Sequence, residues 1–169
     1  MNTVPVTATL TVHAMFKTLL ILPFVLFLHS AAHASEAGRV LGLWYTPERD
    51  VTIEITTDGK TFSGRIVAMD EPIHPADAPD GLAGKPKTDT NNPDENLRSR
   101  PIVGLQLVGG FTFGGGNEWI DGTIYNPRDG ETYQCVMTLQ EDGTLEVHGY
   151  VGIPLFGKTQ IWTRRTEPL

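Results

Sequence analysis

From Ser35 to the C-terminus the chain never runs more than twelve residues without a glycine or a proline. That longest run, Glu131–Asp142, alternates apolar and polar side chains with period two. Twenty-eight of the 135 residues after Ala34 are Gly or Pro, and each interior Gly costs a helix about 1 kcal/mol while Pro breaks it. Such a chain is excluded from the helical classes and is left to short strands and turns. Alternating runs fall at 41–46, 51–57, 61–68, 102–108, 111–113, 118–125, 132–139, 144–151 and 158–164.

Turn chemistry adds register. Thr57-Asp58-Gly59-Lys60 reads as a two-residue type I′ hairpin, which sets Ile55 against Phe62, Ile53 against Gly64 and Val51 against Ile66. In Tyr133–Leu139 and Leu145–Val151 the apolar faces have the same parity. They meet only across a three-residue loop, which Glu141-Asp142-Gly143 supplies with Gly143 left-handed. Leu139 then opposes Leu145, and Cys135 opposes Gly149. One face is apolar and the other polar, so the sheet has one wet side. Closing eight or nine such strands into an up-and-down antiparallel barrel removes the exposed edges. A sandwich satisfies the strand count but not the run of sequential hairpins.

Residues 1–34 differ in kind. They hold no Asp or Glu, one Lys, and 21 hydrophobic residues. The apolar run from Thr18 to Leu28 is shorter than the roughly 20 residues that span a bilayer, and Ala32-His33-Ala34 precedes Ser35 as a signal-peptidase site would. The expectation is a cleaved export signal ending near Ala34, with Met15 as an alternative start. A single domain, 35–169, then lies in the periplasm or outside the cell without a transmembrane span. That domain carries 12 Lys and Arg against 20 Asp and Glu, which disfavours nucleic acid or an anionic membrane surface as a partner. Cys135, the sole cysteine, has no partner for an internal disulfide.

Residues 69–99 fit no strand. They hold five prolines, seven acidic residues and no aromatic, and their length is far above the median loop of about 4–6 residues. The segment is either a solvated excursion or a lid over a binding site.

The motifs Lys85-Pro86-Lys87-Thr88-Asp89-Thr90-Asn91-Asn92-Pro93-Asp94, Leu97–Leu105, Gly122-Thr123-Ile124-Tyr125-Asn126-Pro127 and Gly149–Gly157 together resemble the secreted bacterial family known as domain of unknown function 2147. Gly42-Leu43-Trp44 near the start and Trp162-Thr163-Arg164-Arg165 near the end resemble the closing signature of lipocalins and their relatives. The resemblance implies a lipocalin-like barrel in the periplasm or beyond it, with no agreed activity, in which Trp44 closes one end under an arginine such as Arg164.

Neither metal nor catalytic chemistry is prominent. Only His74 and His148 lie beyond residue 34, with no Cys/His cluster. Asp89, Asn91, Asn92 and Asp94 offer oxygens, but Pro93 breaks the spacing of a calcium loop, so turn-capping is the expected role. No Gly-x-Ser-x-Gly elbow occurs, and Cys135 on an apolar face reads as a packed hydrophobe. No cofactor is implied.

The reading is a barrel that binds a small hydrophobic or amphipathic molecule, lined by Ile53, Ile55, Phe62, Tyr133, Met137 and Val147. The 69–99 loop covers its mouth, and Arg98 and Arg100 meet an anionic head group. For those arginines, with Lys85 and Lys87, the competing expectation is pairing with Asp89, Asp94 and Glu95. Two rival functions stand beside this one. The first is an envelope interaction module with a packed barrel, which uses the long loop and the 152–157 turn as its surface; a homodimer is a further possible partner. The second is a hydrolase or isomerase using loop carboxylates such as Asp89 and Asp94. The apolar turn itself either folds over the barrel end or forms a contact surface.

Overall fold

The computed structural model describes Met1 and residues 36–169, so the segment read as an export signal lies outside the described residues. Eight strands form: β1 Gly42–Tyr45, β2 Val51–Thr57, β3 Phe62–Met69, β4 Gln106–Gly115, β5 Glu118–Asn126, β6 Glu131–Leu139, β7 Leu145–Tyr150 and β8 Gly157–Arg164. Each is antiparallel to its neighbour, and the sheet closes into a barrel in the order β1 to β8. The nine alternating runs become eight strands because 111–113 and the second half of 102–108 join into β4. Gly109 and Gly110 bulge there against β3, with Gly110 left-handed at φ 77°. Residues 102–105 are no strand; the Leu105 carbonyl accepts from the Ile66 N–H at 2.9 Å.

The β6–β7 hairpin has the expected register, Leu139 opposite Leu145 and Cys135 opposite Gly149, with Gly143 at φ 83°. The β2–β3 hairpin differs: Thr57 opposes Phe62, Ile55 opposes Gly64 and Ile53 opposes Ile66. The cause is Asp58. Its carboxylate accepts the N–H of Lys60 at 2.8 Å and of Thr61 at 2.7 Å. This builds a four-residue loop in which only Gly59 has positive φ, so no type I′ turn forms. The slip is two residues, so the apolar faces survive it.

The 3-10 turn Gly38–Val40 plugs the end of the barrel where β1 begins, beside the β2–β3, β4–β5 and β6–β7 turns. Three tryptophans, Trp44, Trp119 and Trp162, are fully buried, with Phe111, Ile53, Ile55, Met137 and Leu145 around them. Every indole N–H is satisfied: Trp44 donates to the Val40 carbonyl, Trp119 to that of Ala37 and Trp162 to Gln160 Oε1. Glycines make room for the rings. A bulge at Asp121, φ 62°, lets Trp119 and Gly122 both face inward, and Phe111 lies flat on Gly122. Arg164 closes this end, its guanidinium 4.1 Å from the Trp44 ring centroid and bonded to the carbonyls of Leu41 and Arg39.

The opposite, open end carries turns 46–50, 127–130 and 151–156 and the long 70–105 connection. Closure is thin: β1 and β8 share only Trp44–Arg164 and Tyr45–Thr163, so Gly157–Ile161 have no ladder partner on that side among the described residues.

A Cβ on Gly122 falls 2.3 Å from the Phe111 ring, too close for a well-packed site to absorb. Gly122→Ala therefore destabilises the barrel by about 2 kcal/mol. A urea midpoint shows this loss, and a Phe111→Leu change in the same chain recovers part of it.

Candidate functional site

The long connection is built around one buried carboxylate. Asp89 is fully buried. Its Oδ1 accepts the Tyr125 hydroxyl at 2.7 Å, and its Oδ2 accepts Asn92 Nδ2 at 2.8 Å and Arg100 Nε at 2.9 Å, with Arg100 Nη2 at 2.8 Å. The backbone repeats the clasp, as the Asp89 N–H donates to the Arg100 carbonyl and the Ile102 N–H to that of Lys87. Around it, Asn91 Nδ2 donates to the carbonyls of Pro127 and Arg128. Gly130 lies so close to the Asn91 carbonyl that a Cβ would sit 1.9 Å from its oxygen. Asn92 Oδ1 accepts the Asp94 N–H, and Asp94 caps the next turn through the Asn96 N–H. Arg98 Nε donates to the Asn92 carbonyl, and Arg98 pairs with Glu95 at 3.1 Å.

Tyr125 stands on the outer side of β5, because Ile124 faces in. Residues 89–93 therefore bind the outer wall and the β5–β6 turn, and do not lie across the mouth. For residues 89–93 this sets aside the expectation of a lid. Between strap and wall lies a concavity of about 330 Å³ bordered by Asn92, Arg100, Gln106, Thr123, Tyr125 and Thr132.

The residues read as a ligand cup separate into two groups. Ile53, Ile55, Phe62, Met137 and Val147 face inward but are buried at 0–7 % exposure. The tryptophans and Phe111 fill the space before them, so these five offer no free surface. Tyr133 is half-buried at the rim, its hydroxyl donating to Asp129 Oδ2 at 3.0 Å. Register brings Ile124, Gly149, Gln160 and Lys158 to the same inward side near the open end, all solvent-accessible to some degree. Ile124 sits directly over Gly149, whose missing side chain gives it room. Lys158 was not singled out by sequence reasoning. The β7–β8 alternation was its signal, since it lies opposite Gly149.

Two of the four cationic residues follow the pairing expectation, Arg100 with Asp89 and Arg98 with Glu95; Lys87 pairs instead with Glu71 at 3.2 Å, and Lys85 is exposed. Burial pushes the Asp89 carboxyl up, and hydrogen bonds from Tyr125, Asn92 and Arg100 more than offset this, so its pKa is lowered. Burial, then the neighbouring Asp89 carboxylate, raises that of Tyr125. Asp89 is buried and accepts from four donors, and Asp94 accepts the Asn96 N–H in a cap. Both carboxylates of the hydrolase or isomerase reading are thus engaged in hydrogen bonds. Among the described residues no group of three or more His, Cys, Asp or Glu side chains is placed to hold a metal ion.

Eight sequential antiparallel strands, closed at one end by a tryptophan beneath an arginine, define a lipocalin-like barrel. The model of the family described as an uncharacterised protein conserved in bacteria, DUF2147, matches residues 42–164, and the chain belongs to that family. Among solved structures it is similar to protein HP1028 from the human pathogen Helicobacter pylori, described as belonging to the lipocalin family. The TM-score is 0.62 and the identity 24 %, over 76 % of this chain and 84 % of that one. No curated protein matches.

Asp89→Ala leaves Tyr125, Asn92 and Arg100 unpaired and costs about 3 kcal/mol, with amide exchange in 86–104 rising most. Because the folded-state pKa of Asp89 is depressed, its stabilisation is present above the unfolded value of about 3.9 and is lost as pH falls through the folded value. The difference in urea midpoint between wild type and Asp89→Asn accordingly narrows below about pH 4. Burial pushes the Cys135 thiol up to about 12, so iodoacetamide at neutral pH labels it only after denaturation.

Proposed function

We propose that the protein is a non-catalytic binding protein of the bacterial envelope, exported by residues 1–34, that takes one small amphipathic molecule at the open end of its barrel. The observation that carries this reading is the division of the interior. Over a floor of packed aromatics, the inward-facing Ile124, Tyr133, Gly149, Gln160 and Lys158 remain accessible. An apolar body rests on Ile124 and the Tyr133 ring. Lys158, whose Cα lies opposite Gly149, supplies the charge for an anionic head group. Arg98 and Arg100, engaged in the strap, do not take that part.

One observation favours a second reading. The concavity of about 330 Å³ outside the barrel is bordered by Arg100, Gln106, Thr123 and Thr132, donors and acceptors suited to a small polar molecule.

Titration with a dansyl-labelled fatty acid distinguishes the two. The mouth reading expects saturable binding that is abolished by Gly149→Leu, which pushes Ile124 off its seat and into the mouth. Lys158→Glu should weaken it roughly tenfold, the worth of about 1.4 kcal/mol. Thr123→Trp, which blocks the outer concavity, should leave it unchanged. Absence of saturable binding to the wild type removes the mouth reading.

A further inference from the structure

The β7–β8 turn displays its apolar side chains instead of hiding them. Val151 is 69 % exposed, Ile153 55 %, Leu155 80 % and Phe156 70 %, and Ile161 on the outer face of β8 adds to the same side at 42 %. Four large hydrophobics on one six-residue tip are a concentration that a soluble surface rarely carries without use. The alternative of a plug over the barrel end does not hold, because the turn is stapled away from the mouth. His148 Nε2 lies 2.7 Å from the Pro154 carbonyl oxygen and Nδ1 lies 2.8 Å from Thr159 Oγ1, on the outer face. The His148 ring stacks on Tyr150, and it occupies the space beside Gly157 where a Cβ would fall 2.6 Å from Nε2. Inside the turn, the Phe156 N–H donates to the Ile153 carbonyl at 3.2 Å and Gly152 adopts φ 73°. The tip is preformed, so its presentation requires little ordering on contact.

Charge and shape indicate what it meets. In a chain with 20 acidic residues, none lies on the turn or in the strands flanking it between Glu146 and Glu167, so no carboxylate of this segment opposes transfer of the tip into an apolar medium. A stable protein contact needs about 800 Å² on each partner, and a narrow convex tip presents far less. A lipid surface accepts a convex apolar tip without a matching groove. We propose that the 151–156 turn is a membrane-docking element that inserts Val151, Ile153, Leu155 and Phe156 into the outer layer of a phospholipid bilayer. The open end of the barrel then faces the lipid. This holds whether or not the mouth carries a ligand.

The test places an environment-sensitive nitrobenzoxadiazole label at Leu155→Cys in the full chain, with Lys60→Cys, in the β2–β3 turn at the other end of the barrel, as the control site; the buried Cys135 stays unlabelled. Vesicles of zwitterionic phosphatidylcholine should shift the Leu155 label to the blue, and lipids spin-labelled high on the acyl chain should quench it. The Lys60 label should do neither. Val151→Asp with Phe156→Asp should lower the vesicle concentration dependence of the shift by about a hundredfold. A Leu155 label that stays at its aqueous wavelength with saturating vesicles overturns the proposal. So does a blue shift that appears without lipid and grows with protein concentration, which assigns the turn to a second copy instead.

Discussion

An eight-stranded barrel has an interior barely wide enough for its own side chains, and here that space is allotted to rings. Phe111 lies where Gly122 has no side chain, and Gly64 has no room for one, since Ile53, Ile55 and Val108 occupy its space. Trp44, Trp119 and Trp162 complete the filling. Much else follows from this exchange of glycine for aromatic volume. It sets the floor of the barrel, fixes the plug at Gly38–Val40 through two indole hydrogen bonds, and gives Arg164 a ring face to rest on. It also moves any bound molecule toward the open end, where the inward residues are smaller or polar.

The strap obeys a different rule. Its seat is polar, and a buried carboxylate in place of apolar packing ties it to the wall. Such a clasp adds less net stability than a hydrophobic contact of equal size, but it is particular about geometry. Asp89 needs Tyr125, Asn92 and Arg100 at once, and no neighbouring register supplies all three. The five prolines of residues 69–99 reduce the freedom the unfolded segment has to lose. A connection that composition alone would leave as a loose excursion is thereby held to one position.

Much of the barrel was legible because period-two alternation survives local errors. The β2–β3 register slipped by two residues when Asp58 capped its own turn, yet Ile53, Ile55 and Phe62 still face inward. What alternation cannot express is depth. The inward face of β6 runs from Tyr133 at the rim to Met137 in the packed core with no change in pattern, so a cup and a filled core read alike. Nor could it reveal the seat of the strap. Tyr125 occupies an outward position that reads as solvent-facing, and its partner Asp89 is 36 residues away.

The thin seam between β1 and β8 has a mechanical meaning. Seven of the eight strand junctions are ladders of several pairs, while the eighth is held by two. The sheet is thus a coiled ribbon fastened near its base, and above the fastening the free margin of β8, residues 157–161, faces only the short turn after β1. The exposed edge that closure of a sheet removes is therefore kept along five residues of β8 at the open end.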